Sequence, residues 1–213
     1  MTARGAIGRS YDAVAERYDA AIGDELAAKP IDRALLTALA EHCAGGLVAD
    51  LGCGPGHVGA HLAARGARVV GVDISPAMCA LARRRSVPTA SGDLQALPLG
   101  GGCLAGIVCW YSLIHLEPLE RAVAYHEMAR VLRVGGQASV AFHTADADAR
   151  PGEARHLSTW WDQPVELIFR FLDPDAEIAA AEQQGLRLVA RLDRRPVPAE
   201  HPSCRSYLLL ERC

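Results

Sequence analysis

Short apolar runs alternate along the chain with stretches in which apolar residues recur at helical spacing, and glycine and proline mark most of the boundaries. The apolar runs predict strands over 47–51, 68–73, 87–91, 105–110 and 137–143, with helices near 57–65, 76–85 and 119–132 between them. Two helices lead in, over about 9–20 and 30–43, the second with Pro30 at its start and Gly45-Gly46 past its end. After a long connection come a helix at 174–184, Gly185, and two β-rich runs, LRLVARL and RSYLLLE, separated by the proline-rich RRPVPAEHPSC. No helical segment lies between these two runs, so they are expected to pair antiparallel, because parallel strands need a crossover. Strands alternating with helices make an α/β fold. The expected sheet has seven strands, mostly parallel, with the last one antiparallel.

A chain of 213 residues, half of them hydrophobic, can bury one good core, and a single domain 1–213 is expected. Within it the pattern separates a helical cap (1–45), a core (46–143), a connecting segment (144–173) and a C-terminal helix with its strand pair (174–213). A net charge of −3 and a pI near 6.2 provide no field to draw in nucleic acid or an anionic membrane. Of the 22 Lys and Arg residues only Lys29 is a lysine, a compositional bias that leaves the arginines without meaning as a binding signal. Seven cysteines form no C-x-x-C pair, and the odd count fits reduced thiols better than a disulfide framework. The opening segment is charged where a signal peptide needs an apolar stretch, and no apolar run approaches the roughly 20 residues of a membrane span. The expectation is a cytoplasmic protein, monomer or homodimer.

Residues 48–56, VADLGCGPG, set an apolar strand against three alternating glycines, and a helix follows. Glycine there lets the backbone turn sharply and approach a ligand with no Cβ in the way. Gly54 to Gly59 also satisfies G-x-G-x-x-G, so the loop by itself leaves an NAD-dependent oxidoreductase open. Asp73 closes the next strand in VVGVDIS, placed to accept hydrogen bonds from both hydroxyls of a ribose, a need that dinucleotides share with adenosylmethionine. A strand-end Asp could equally cap the helix that begins near Ser75-Pro76.

Four motifs in order, DLGCGPG, VDISPAM, GDLQALPL and the pair WYSLIHL with RVLRVGGQASVAFH, resemble the class I S-adenosylmethionine-dependent methyltransferases, in the small-molecule, ubiE-like branch called type 11. The resemblance spans about residues 10–145 and, more faintly, the final strand pair. It implies a Rossmann-like three-layer sandwich, S-adenosylmethionine as methyl donor and S-adenosylhomocysteine as product. By the same resemblance Asp50, Gly52, Cys53, Gly54 and Gly56 would wrap the methionine portion and Asp73 would hold the ribose. Ile74 and Met78 would sandwich the adenine, while Asp93 and Leu94 would read its edge. Trp110 and Tyr111, ending the fourth strand, would face cofactor and acceptor, and Tyr11 and Tyr18 of YDAVAERYD would close over the cofactor. Ordinary roles stand beside these: Ile74 and Met78 have core spacing, the tyrosines can staple the first helix, and Cys53 is a small turn residue with nothing to activate its thiol.

In-line methyl displacement asks a protein to align donor and acceptor and exclude water, and needs no protein nucleophile. A general base matters only for an acceptor that arrives protonated; His115, five residues past the fourth strand, is the candidate. His143 ends the fifth strand, and open α/β sheets bind ligands beyond their strand C-termini. The 144–173 connection is too long for an ordinary loop and holds Trp160, Trp161, Phe169 and Phe171, four of the chain's eleven aromatic residues. That enrichment predicts an aromatic lid or wall over a planar or apolar small-molecule acceptor, joined by His156, against the alternative of a satellite core or dimer contact. Glu153 and His156 are too few to make a metal site, and Arg83, Arg84 and Arg85 lie on a predicted helix face toward solvent. Two further readings remain: the oxidoreductase, and a non-catalytic S-adenosylmethionine-binding regulatory or partner protein.

Overall fold

The computed structural model describes residues 3–198 and 200–213. The chain opens with α1 (Ala3–Ile22), a 3₁₀ turn (Glu25–Ala28) and α2 (Pro30–His42). The alternating region follows as β1 (Leu47–Leu51), α3 (His57–Ala63), β2 (Arg68–Asp73), α4 (Pro76–Arg84), β3 (Thr89–Ser91), β4 (Leu104–Trp110), α5 (Pro118–Val131) and β5 (Leu132–Ala145). Then come β6 (Ala154–Trp160), β7 (Gln163–Arg170), α6 (Pro174–Glu182), β8 (Leu186–Arg194) and β9 (Cys204–Arg212).

Seven strands form one sheet in the order β3-β2-β1-β4-β5-β9-β8. The first five are parallel, and β9 runs antiparallel to both of its neighbours, the reversal that the helix-free link between the last two runs requires. Every residue of β4 is buried, as expected of a central parallel strand covered on both faces. On one face Leu36, Leu39 and Ala40 of α2 pack with Val48 and Val108; on the other Ala124, Tyr125 and Met128 of α5 pack with Ile107 and Val140. The strand order reverses between β1 and β4, opening a crevice at the carboxyl ends of the strands.

Three features depart from the pattern read along the sequence. Helix α1 begins at Ala3 rather than near residue 9: its glycines weaken the helical signal, but a Cβ on Gly8 would stand 3.3 Å from the Ile74 carbonyl, so glycine lets the helix lie close to the sheet. Strand β5 starts directly after α5, through an exposed RVG stretch with Gly135 at φ +73° and a register shift against β4. The 144–173 connection contains a separate antiparallel hairpin, β6 with β7, turned by Trp161 and Asp162 at φ +47° and +60°.

Candidate active site

The glycine loop after β1 carries its backbone through left-handed φ at Gly52, Gly54 and Gly56. A Cβ on Gly52 would fall 2.0 Å from Ser112 Oγ, and one on Gly56 would fall 2.6 Å from the Ala82 Cβ. Gly54 is different, because the nearest atom to its Cβ position is Tyr18 Cε1 at 3.9 Å, leaving an uncrowded backbone face. Gly54 N–H donates to Asp73 Oδ2 and Ser75 N–H to Asp73 Oδ1, both at 2.8 Å, so the strand-end carboxylate is fixed by the loop on one side and the α4 cap on the other. Burial pushes the Asp73 carboxyl up to about 6 against these donors. Asp50 accepts from Gly59 N–H at 2.9 Å, tying α3 to β1, and burial raises it to about 7.

These groups face one cavity. Of the residues implied to hold a cofactor, all but Gly56 line it, including Ile74, Met78, Asp93 and Leu94, with Trp110 and Tyr111 at the end of β4. Asp93 Oδ1 accepts from Gln95 N–H at 2.9 Å, setting the turn that presents Leu94. Trp110 donates its indole N–H to Ser139 Oγ at 3.0 Å, and the Tyr111 and Tyr207 hydroxyls share a hydrogen bond of 2.9 Å. An open glycine backbone, a carboxylate for a diol and an apolar slot for a base, with the carboxylate held between the loop and the start of α4, fit an adenosyl amino acid.

Helix α1 covers the cavity. Asp12 Oδ1 accepts from Ser75 Oγ at 2.6 Å and from Ala77 N–H at 3.0 Å, locking α1 onto the start of α4, and Tyr11 and Tyr18 stand on the cavity wall with rings 5.7 Å apart. His115 lies on the same wall. Its Nδ1 meets the Ile168 carbonyl at 2.9 Å, so Nδ1 carries the proton and Nε2 accepts the Tyr11 hydroxyl at 2.8 Å. Burial, helped by Arg170, holds this imidazole down at about 4, hence neutral.

The hairpin stands behind this layer. Trp160 packs edge-on against Tyr18 and Tyr11, Trp161 stacks on Trp160 at 4.6 Å, and Phe169 meets His115 at 5.0 Å. None of these rings lines the cavity, and His156 is exposed on the far side of β6. The aromatic segment therefore packs behind Tyr11 and Tyr18 instead of lining the cavity. His143 is likewise outside the cavity: it stacks behind Tyr111 at 4.8 Å, shares a 2.7 Å hydrogen bond with Ser203 Oγ, and is held down at about 3 by burial.

Sequence reasoning passed over Glu25 and His57, which also line the cavity. The only signal for His57 is its place directly after the glycine loop, and Glu25 sits in a turn with no pattern of its own. Arg83, Arg84 and Arg85 are each engaged within the chain, by Thr89, Glu16 and Asp19. All seven cysteines are free thiols, four of them buried. Among the described residues no helix is long and apolar enough to cross a membrane.

Residues 48–136 match the family described as a methyltransferase domain. The malonyl-[acyl-carrier protein] O-methyltransferase of Erwinia billingiae is 34% identical over 149 residues, 67% of this chain and 55% of that protein. The demethylmenaquinone methyltransferase of Corynebacterium kroppenstedtii is 31% identical over 137 residues, 63% of this chain and 58% of that protein. The chain thus spans little more than half the length of these curated relatives. Among solved structures, the magnesium protoporphyrin IX methyltransferase of Synechocystis has a similar fold, with a TM-score of 0.74 at 16% identity over 100% of this chain and 98% of that one.

Proposed function

We propose that this chain, whose residues 48–136 match the methyltransferase-domain family, is an S-adenosylmethionine-dependent enzyme of class I fold that methylates a small molecule with a planar, largely apolar body. The observation that carries this is the convergence of the Gly52–Gly56 loop, Asp73 and the Asp93-Leu94 turn, three motifs far apart in sequence, on one cavity. The cofactor would supply a methyl group on a sulfonium, open to in-line displacement. Asp73 would accept from the ribose hydroxyls, Ile74 and Met78 would hold the adenine between them, and Asp93 with the Leu94 backbone would meet its edge. Tyr11 and Tyr18 would keep water out.

The two curated relatives carry different acceptors in their names, so the acceptor side has to be argued from this chain's own wall. Trp110, Tyr111, Tyr11 and Leu116 make it apolar and aromatic, which favours a flat apolar body. The lone pair of His115 Nε2 on that wall is reached through the Tyr11 hydroxyl. For an acceptor that arrives protonated, its proton would pass to Tyr11 Oη as the phenolic proton moves to His115 Nε2.

Calorimetric titration with S-adenosylhomocysteine and, separately, NAD tests the reading, each with a melting curve, because a ligand bound only by the folded state raises the melting temperature. Binding of S-adenosylhomocysteine without NAD is the expected result. NAD binding alone would return the glycine loop to the oxidoreductase reading. Binding of S-adenosylhomocysteine with no turnover on a broad acceptor panel would favour a non-catalytic partner protein.

A further inference from the structure

One side of the cavity is charged, and none of the roles assigned above uses it. Glu25 and His57 line the same cavity as Gly54 and Pro55. Glu25 Oε1 lies 3.3 Å from His57 Nε2, and Glu25 Oε2 lies 2.7 Å from Lys29 Nζ. The Lys29 ammonium also meets Glu200 Oε2 at 3.1 Å, with both side chains almost fully buried, so it is shared between the two carboxylates. Burial would raise the Glu25 carboxyl, but the hydrogen bonds from His57 and Lys29 outweigh it and hold the group at about 2, so it is ionised at any working pH.

His57 Nε2 faces Glu25, and the other ring nitrogen, Nδ1, is buried with no hydrogen-bond partner among the described residues. A buried polar atom without a partner asks for an explanation, and a ligand is one. This side of the cavity thus offers an ionised carboxylate and an adjoining ring nitrogen without a partner among the described residues. The complementary group is a cation with several N–H donors, and a primary ammonium has three.

We propose that Glu25 and His57 form the subsite for the α-ammonium of the cofactor's amino-acid portion, an inference that rests on the S-adenosylmethionine reading above. His57 directly follows the glycine loop assigned to the methionine portion, and Glu25 is held against its ring at 3.3 Å. An amine carried by the acceptor would present the same chemistry, and the choice of nucleosides below separates the two sources.

The test measures binding of three nucleosides to the wild type and to Glu25→Gln by calorimetry. S-adenosylhomocysteine carries both ammonium and carboxylate, 5′-S-(3-aminopropyl)thioadenosine keeps the ammonium alone, and 5′-methylthioadenosine has neither. Glu25→Gln should weaken the first two by about tenfold or more, the loss of a charge-assisted hydrogen bond, and leave 5′-methylthioadenosine within about twofold. Equal loss for all three would mean that Glu25 only braces the fold, and unchanged binding of the first two would leave the subsite to an acceptor amine; either result overturns the proposal. Should Glu25→Gln melt early, His57→Gln, which keeps the Glu25–Lys29 pair, carries the same comparison. If the wild type binds none of the three nucleosides, the cofactor reading itself fails, which is a different result from a flat response to the substitutions.

Discussion

Asp73 is held by two backbone N–H groups at 2.8 Å, yet burial leaves its carboxyl near 6, within reach of ordinary buffers. A ribose diol needs the ionised form. A raised carboxyl takes up its proton as pH falls, so S-adenosylhomocysteine affinity should hold steady well above pH 6 and weaken below it, by about tenfold between pH 8 and pH 5. Asp73→Asn should weaken binding by roughly 10–100-fold at neutral pH and make that acid limb shallower, leaving what the Asp50 carboxyl near 7 contributes, read by calorimetry across a buffer series. His115, near 4, stays neutral throughout this window and cannot be its source. His115→Ala should cut turnover of a protonated acceptor by about a hundredfold while sparing S-adenosylhomocysteine affinity, a split that steady-state kinetics beside calorimetry would show. That Asp73 shares one cavity with Gly52 and Gly54 was legible, because a glycine-rich turn after one strand and an acid at the end of the next mark the carboxyl edge of a parallel sheet. The position of His143 was not: a strand-end residue can turn to either side, and its partner Ser203 arrives from a loop sixty residues later.

At the scale of elements, the glycines of the loop do two jobs that sequence alone merges. Gly54 leaves room for a ligand, while Gly56, at φ +82°, lets α3 approach Ala82 of α4. Gly56→Ala should therefore destabilise the fold by about 2–4 kcal/mol, from left-handed backbone strain plus overpacking, visible as a lower midpoint in urea. The periodic elements were readable because one buried face imposes its spacing on them. The β6–β7 hairpin was hidden for the opposite reason: its tight turn is made by Trp161 and Asp162 at positive φ, where the usual signal is Asn-Gly, and its strands alternate poorly. Its docking is also non-local, through Glu166 N–H to Ser10 Oγ at 2.8 Å and the Trp160 ring against Tyr18.

At the scale of the molecule, the reversed strand β9 lets the loop before it return over the carboxyl end of β5. That return builds an ion network no local pattern announces. Arg194 bonds Asp32 at 3.0 Å and also pairs with Glu200, Tyr207 donates to Asp32 across 175 residues of chain, and Glu200 meets both Arg205 and Lys29. Through Lys29 the network reaches Glu25 at the cavity wall. Lys29 is also the only lysine in the sequence, with its side chain just 4% exposed. An amine-acylating reagent in bulk solvent therefore meets no accessible lysine on the native fold. Modification at Lys29 can proceed only when the network comes apart, so the rate of acylation at this single site is a built-in clock for the opening of the cavity wall.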